Sequence, residues 1–247
     1  VAQEAVSPLD DILPVPRLHQ SSETVGGRLR WLPGVAEVAA HVIPYADAWD
    51  EWNLAAIHGD RSVPWWCAIG DSAAQGVGSS SPRGGWAGRL DDHLASAVGP
   101  HRLVNLSVSG ARTGDVLGEQ LPRFHALVGA LGPPSLVAAA VGANDIFRSI
   151  DVPGIRANMT AIAAELPRRS LLAQLVQARW SILGNLVNAH IRALGQRLDL
   201  RIVNVNRYYH PPFRGRLSVD RFHPNDRGYC EWAHAFVDAL GDGPAVD

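Results

Sequence analysis

The chain has 247 residues, 47% of them hydrophobic and 19% charged, with a formal net charge of -2. That length fits one large domain or a domain with an extension, and the composition supports a buried core rather than disorder. The near-neutral charge, with no basic block, excludes a phosphate-tracking surface and so argues against nucleic acid as a partner. All 22 basic residues are arginine, so no Schiff-base lysine or lysine general base is available. Cys67 and Cys230 have no metal-ligand spacing and read as buried free thiols. The first residues carry acids and no apolar run, and no stretch approaches the ~20 apolar residues of a membrane span, so the sequence as given reads as cytoplasmic.

Residues 1–62 differ from the rest. Pro8, Pro14, Pro16, Pro33 and Pro44 interrupt long elements; Trp31, Val35 and Val38 through Val42 read as a short amphipathic piece, and Tyr45 to Ala56 as a helix with Trp49 and Trp52 on neighbouring turns. The segment has too little apolar mass to fold alone and is expected to form an extension packed on a main domain of residues 63–247, where Trp31, Trp49 and Trp52 would help cover a pocket.

From Val63 the pattern alternates. Trp65 to Ile69, Arg102 to Leu106, Leu136 to Val141, Ser170 to Leu175 and Arg201 to Val205 read as strands. Gly85 to Val98, Thr113 to Val128 (with a break at Pro122), Ile155 to Leu166, Trp180 to Leu198 and Asn225 to Leu240 read as helices. Such alternation implies an α/β fold with a parallel sheet covered on both faces.

Short polar blocks fall just after the predicted strands or in the loop before the last helix. They are Gly70-Asp71-Ser72, Ser109-Gly110, Gly142-Ala143-Asn144-Asp145 and Asp220-Arg221-Phe222-His223-Pro224. In open α/β sheets that edge is where ligands bind. Ser72 is the candidate nucleophile, His223 the base and Asp220 the carboxylate that orients it. Backbone N–H groups of Ser72 and Gly110 and the Asn144 amide are candidate oxyanion donors. Taken alone, Gly-Asp-Ser is also a helix-capping signal and the Asn144 block a turn; order and spacing together favour catalysis.

These blocks resemble those of the SGNH hydrolases, also called GDSL esterases. The resemblance spans roughly residues 63–240, and Ala73 stands where a leucine is usual. It implies a three-layer α/β/α sandwich with a parallel five-stranded flavodoxin-like sheet, a Ser72–His223–Asp220 triad, and no metal or cofactor. Arg28 to Val35, Pro44 to Trp49 and Gly70 to Gly78 further resemble actinobacterial members of the family. Some of these carry octanoyl from acyl-CoA to a glucosylglycerate-type hydroxyl in mycobacterial methylglucose lipopolysaccharide synthesis. That resemblance implies an acyl donor, as acyl-CoA or ester, and a hydroxyl acceptor such as a sugar. Water as acceptor gives an esterase, and the blocks do not choose between them. A non-catalytic carbohydrate-binding module is disfavoured because no triad member is missing. Tyr208, Arg214 and Arg216 before Asp220, together with Arg83 and Arg148, are candidate substrate contacts through guanidinium or stacking.

Overall fold

The computed structural model describes residues 33–148, 151–177 and 181–241; Trp31 and the rest of residues 1–32 lie outside the described residues. The order of elements is α1 (Pro33–Ala39), α2 (Val42–His58), β1 (Trp65–Gly70), α3 (Ser72–Gln75), α4 (Trp86–Val98) and β2 (Arg102–Asn105). There follow α5 (Thr113–Asp115), a π-turn (Val116–Gln120), α6 (Leu121–Leu131), β3 (Leu136–Ala140), α7 (Ala143–Arg148) and α8 (Val152–Glu165). The chain closes with β4 (Leu171–Ala173), α9 (Ser181–Leu198), β5 (Arg201–Val203) and α10 (Asp226–Leu240).

The strands form one parallel sheet in the order β2-β1-β3-β4-β5. This is the flavodoxin-like doubly wound order, whose switch point lies between β1 and β3. Each strand is too apolar for a solvated face, and the sheet has a core on both sides. One core packs Val104, Phe124, Leu127, Met159 and Ile191; the other packs Trp66, Trp86, Leu90, Tyr229 and Phe236. Trp86 stacks face to face on Phe236, with centroids 4.2 Å apart, and so ties α4 to α10.

Pro122 does not break its helix. It sits in the first turn of α6, where a missing N–H costs nothing, directly after the π-turn. The π-turn carries Gln120, whose amide clamps both backbone groups of Gly70, at 2.9 Å from the N–H and 2.8 Å to the C=O. The end of β1 is thereby fixed one residue before Asp71. The third block follows β3 and, rather than a free turn, starts α7.

The helix read at Tyr45 to Ala56 is the longer α2, and it covers the edge of the sheet. Asn53, fully buried, accepts from the Asn105 N–H at 2.7 Å and donates to the Asn105 C=O at 2.8 Å. A side-chain amide thus imitates a neighbouring strand on the exposed edge of β2. Trp49 is buried and donates to the Gln75 carbonyl at 3.1 Å. Gly34 lies so close to the Val219–Asp220 backbone that a Cβ would fall 2.5 Å from the Val219 carbonyl oxygen. Cys67 is buried, whereas Cys230 is only half-buried. Among the described residues no helix is long and apolar enough to cross a membrane.

Candidate active site

Gly70 ends β1, and Asp71 caps α3 by accepting from the Ala73 N–H at 3.0 Å. The capping reading and the nucleophile reading of Gly-Asp-Ser therefore describe one turn: the cap fixes the start of α3, and Ser72 is its first residue. Ser72 lies at the C-terminal edge of β1, beside the switch point.

His223 arrives from the other end of the chain. Its Nε2 lies 3.0 Å from Ser72 Oγ, and its Nδ1 lies 2.6 Å from Asp220 Oδ2. The other oxygen of Asp220 accepts the backbone N–H groups of Phe222 and His223, each at 3.0 Å. Burial alone would raise the Asp220 pKa, but the hydrogen bond and charge of His223 and the two N–H donors outweigh it and hold the carboxyl below its usual range. An ionised Asp220 places the imidazole proton on Nδ1 and leaves the Nε2 lone pair facing Ser72. Both side chains are buried, with 7% exposure for that of His223 and 6% for that of Asp220.

The hairpin that carries them is stiff. Ser218 donates to the His223 carbonyl at 2.8 Å, Leu217 bridges Pro224, and Asn225 caps α10 while its Nδ2 reaches the Leu217 carbonyl at 3.1 Å. Gly78, with φ of +97°, approaches so closely that a Cβ would stand 2.6 Å from His223 Cβ. Only glycine allows that contact without displacing the imidazole.

Asn144 opens α7 beside Ser72. Its Nδ2 donates to the Ala111 carbonyl at 3.0 Å and to Asp71 Oδ2 at 3.3 Å. The loop after β2 is held in place by Gln75, which accepts from the Ser109 N–H at 3.1 Å and donates to the Ser107 carbonyl at 2.9 Å. Asp145 accepts from the Thr113 N–H and hydroxyl at 3.0 and 2.7 Å and ties that loop to α7. Gly110 sits in this loop with φ of +84°. Burial pushes the Asp71 carboxyl up to about 6 against the pull of the Ala73 N–H and the His223 charge.

A cavity of about 480 Å³ opens on these groups. Asp71, Ser72, Asn144 and His223 line it; Gly110 does not. Its other walls are Ile146, Phe147, Leu175, Val176, Tyr209, Phe213, Leu217, Phe222 and Trp232, with Gln174 and Arg221 as further polar side chains. Phe147 and Phe222 meet edge to face at the rim, centroids 4.9 Å apart.

The structure does not bring the expected substrate contacts to this cavity. Arg83 pairs with Asp91 at 2.9 Å and with Asp92, on the α4 side. Arg216 pairs with Glu231 at 2.7 Å and donates to the carbonyls of Tyr208, His210 and Pro212, so it staples its own loop. Tyr208 donates to Asp238 at 2.6 Å, and Arg214 is exposed without lining the cavity. Arg148 ends α7, and its side chain lies outside the described residues. No described residue of the N-terminal segment lines the cavity; α2 covers the β2 edge instead of the pocket. Gln75 and Gln120 escape motif reading because their work is bonding backbone groups across the fold, and Asp145, inside the third block, shows its tie to Thr113 only in the structure. The cavity aromatics Tyr209 and Phe213 stand in the loop already singled out, one and five residues past Tyr208.

The model of the GDSL-like Lipase/Acylhydrolase family matches residues 68–230. No curated protein sequence matches the chain. Among solved structures, TesA is similar at 22% identity, covering 72% of this chain and 98% of its own, with a TM-score of 0.60. Axe2, an acetylxylan esterase from Geobacillus stearothermophilus, is 19% identical over 74% of this chain and 97% of its own, with a TM-score of 0.58. The psychrotrophic esterase EstA from Pseudoalteromonas sp. is 19% identical over 72% and 96%, with a TM-score of 0.56. At these identities the likeness is one of fold.

Proposed function

This chain belongs to the GDSL-like lipase/acylhydrolase family, and on that premise we propose that it cleaves acyl esters through an acyl-enzyme on Ser72. The observation that carries the reading is the Ser72–His223–Asp220 relay, at 3.0 and 2.6 Å, opening on a largely apolar cavity. Ser72 Oγ attacks the acyl carbon as its proton moves to His223 Nε2, and Asp220 stabilises the imidazolium. The carbonyl oxygen takes up the electron pair and is held by the Ser72 and Gly110 N–H groups with the Asn144 amide, which first releases its longer bond, at 3.3 Å to Asp71. When the intermediate collapses, the bond to the leaving oxygen or sulfur breaks and His223 returns the proton to it. Water or an alcohol then repeats the sequence in reverse, yielding acid or a new ester and restoring the Ser72 hydroxyl. A cavity of about 480 Å³ lies in the usual range for small ligands and favours a medium-length acyl group.

The test is acylation itself. Incubation with p-nitrophenyl octanoate should release p-nitrophenol, and a phosphonate ester should add its mass to Ser72 and stop turnover. Turnover that survives Ser72→Ala would overturn the proposal.

A second reading is octanoyl transfer from acyl-CoA to a glucosylglycerate-type hydroxyl, as the actinobacterial resemblance of Gly70 to Gly78 implies. It draws support from the burial of Ser72 and His223, at 7% and 6% exposure, in a cavity with apolar walls, where a bound alcohol competes well with water. Octanoyl-CoA with and without glucosylglycerate separates the readings. An acylated sugar formed at the expense of free octanoate supports transfer; octanoate alone in both reactions rejects it.

A further inference from the structure

Outside the cavity, a line of buried amides and hydroxyls runs from α2 to the loop after β2. Asn53, Gln75, Asn105, Ser107 and Ser109 are each 2% exposed or less. Asn53 pairs with both backbone groups of Asn105. The Asn105 side chain donates to the Ala74 carbonyl at 3.1 Å, and it accepts from the Ser107 N–H at 3.1 Å and from the Ser107 hydroxyl. Gln75 continues the line. Its Nε2 donates to the Ser107 carbonyl at 2.9 Å, and its Oε1 accepts from the Ser109 N–H at 3.1 Å and from the Ser109 hydroxyl. Its backbone is held from α2 as well, because Trp49 donates to the Gln75 carbonyl. A buried network satisfied in this way adds modestly to net stability but fixes geometry.

What it fixes is a turn. Ala111 donates to the Val108 carbonyl at 3.0 Å, so Ser109 and Gly110 form the corner, with Gly110 in the left-handed region at φ of +84°. That turn meets both oxyanion donors that lie outside Ser72. It carries the Gly110 N–H, and the carbonyl of its last residue, Ala111, accepts from the Asn144 amide at 3.0 Å. Gln75 itself closes α3, three residues after Ser72. One side chain therefore ties the helix that opens with the nucleophile to the turn that sets the other two donors.

We propose that Gln75 is a positioning residue for the oxyanion site and that α2 holds it there through Trp49 and Asn53, so that a helix lining no part of the cavity contributes to turnover. The inference rests on the oxyanion roles of Ser72, Gly110 and Asn144 proposed above. Position 75 needs an amide because one end must accept and the other donate. A carboxylate would oppose the Ser107 carbonyl, and an alkyl chain would bond neither group.

The test compares p-nitrophenyl octanoate with its thiono analogue, in which C=S replaces C=O. Sulfur accepts hydrogen bonds weakly, so fixed donors favour the oxo ester. Each kcat/KM is divided by the rate of the same ester with hydroxide. The wild type should then favour the oxo ester by at least about 10²-fold. Gln75→Met, of similar length but without the amide, should lower that preference about ten-fold. Asn53→Leu, at the far end of the line, should lower it about three-fold. In both, kcat on the oxo ester should fall in proportion with KM little changed. A ratio of two substrates does not depend on the fraction of folded protein, so a merely stabilising role leaves it unmoved. Asn53→Leu keeps the test open if Gln75→Met fails to fold. Phosphonate labelling separates this proposal from the reading beneath it. An unlabelled Ser72, or a wild type without preference for the oxo ester, overturns both. A labelled Ser72 with a preference that neither variant lowers overturns the positioning role alone.

Discussion

The wall that carries Ser72 and the wall that faces it are built on opposite principles. Around Ser72 the polar side chains are bonded to the protein: Asp71 to Ala73, Asn144 to Ala111, His223 to Asp220, Gln75 to Ser107 and Ser109. Across the cavity the walls are mostly apolar, and the Tyr209 hydroxyl and the Trp232 Nε1–H are buried with no partner among the described residues. The first arrangement is largely in place before substrate arrives, so a developing charge is stabilised with little reorganisation, the Asn144 bond to Asp71 being the one that opens. The second offers mainly apolar surface. On the proposed reading, chemistry resides on the hydrogen-bonded wall, and the apolar walls receive the acyl ester.

The largest effects should come from breaking the finished wall. Asp220→Asn keeps the size of the side chain but removes the charge that sets the His223 tautomer; kcat on p-nitrophenyl octanoate should fall about 10⁴-fold with KM little changed. A loss confined to KM would show that the relay acts in binding instead. Asn144→Ala removes one oxyanion donor and should lower kcat about 10²- to 10³-fold. Since Asn144 also bonds the Ala111 carbonyl, thermal unfolding must be compared, and an unchanged kcat in a folded variant would exclude the amide from the oxyanion site.

These two regions also differ in how far the sequence discloses them. The parallel sheet and the four polar blocks are legible because each strand is a short apolar run with a small-residue turn after it, a local signal. Ser72, Asn144, Asp220 and His223 come together because the C-terminal edge of the sheet gathers the turns and loops beyond its strands. The facing wall is not legible. Arg83, Arg216 and Tyr208 have the right chemistry for a substrate, but partners supplied by α4 and α10 consume them. Gln174, by contrast, carries no motif; it lines the cavity because β4 ends where the cavity begins. The described part of the N-terminal segment, from Pro33 on, misleads in the same way. Its tryptophans suggest a cover, whereas the deciding residue is Asn53, whose two bonds to Asn105 are a long-range match that no local spacing reveals.

The finished wall carries one electrostatic cost, and measuring it sharpens the contrast further. Asp71 is buried beside Ser72, and burial raises its carboxyl from about 3.9 in an unfolded chain to about 6. Between those values the folded protein holds a proton that the unfolded chain has released, so the contribution of Asp71 to stability declines as pH rises through that window. Asp220, held low, has the opposite sign and its own window: its stabilisation is complete above the unfolded value and is lost only as pH falls through the lower folded one. Comparing wild type with Asp71→Asn isolates the first effect, since most other titrations cancel in the difference. The stability of the wild type relative to the variant, from urea unfolding, should fall by roughly 2–3 kcal/mol between pH 4 and pH 8. A flat difference would mean that Asp71 titrates normally, and a rising one that its bonds to Ala73 and Asn144 outweigh its burial. The expected fall would place a costly charge next to the nucleophile, on a carboxylate that accepts from the Ala73 N–H with one oxygen and from the Asn144 amide with the other.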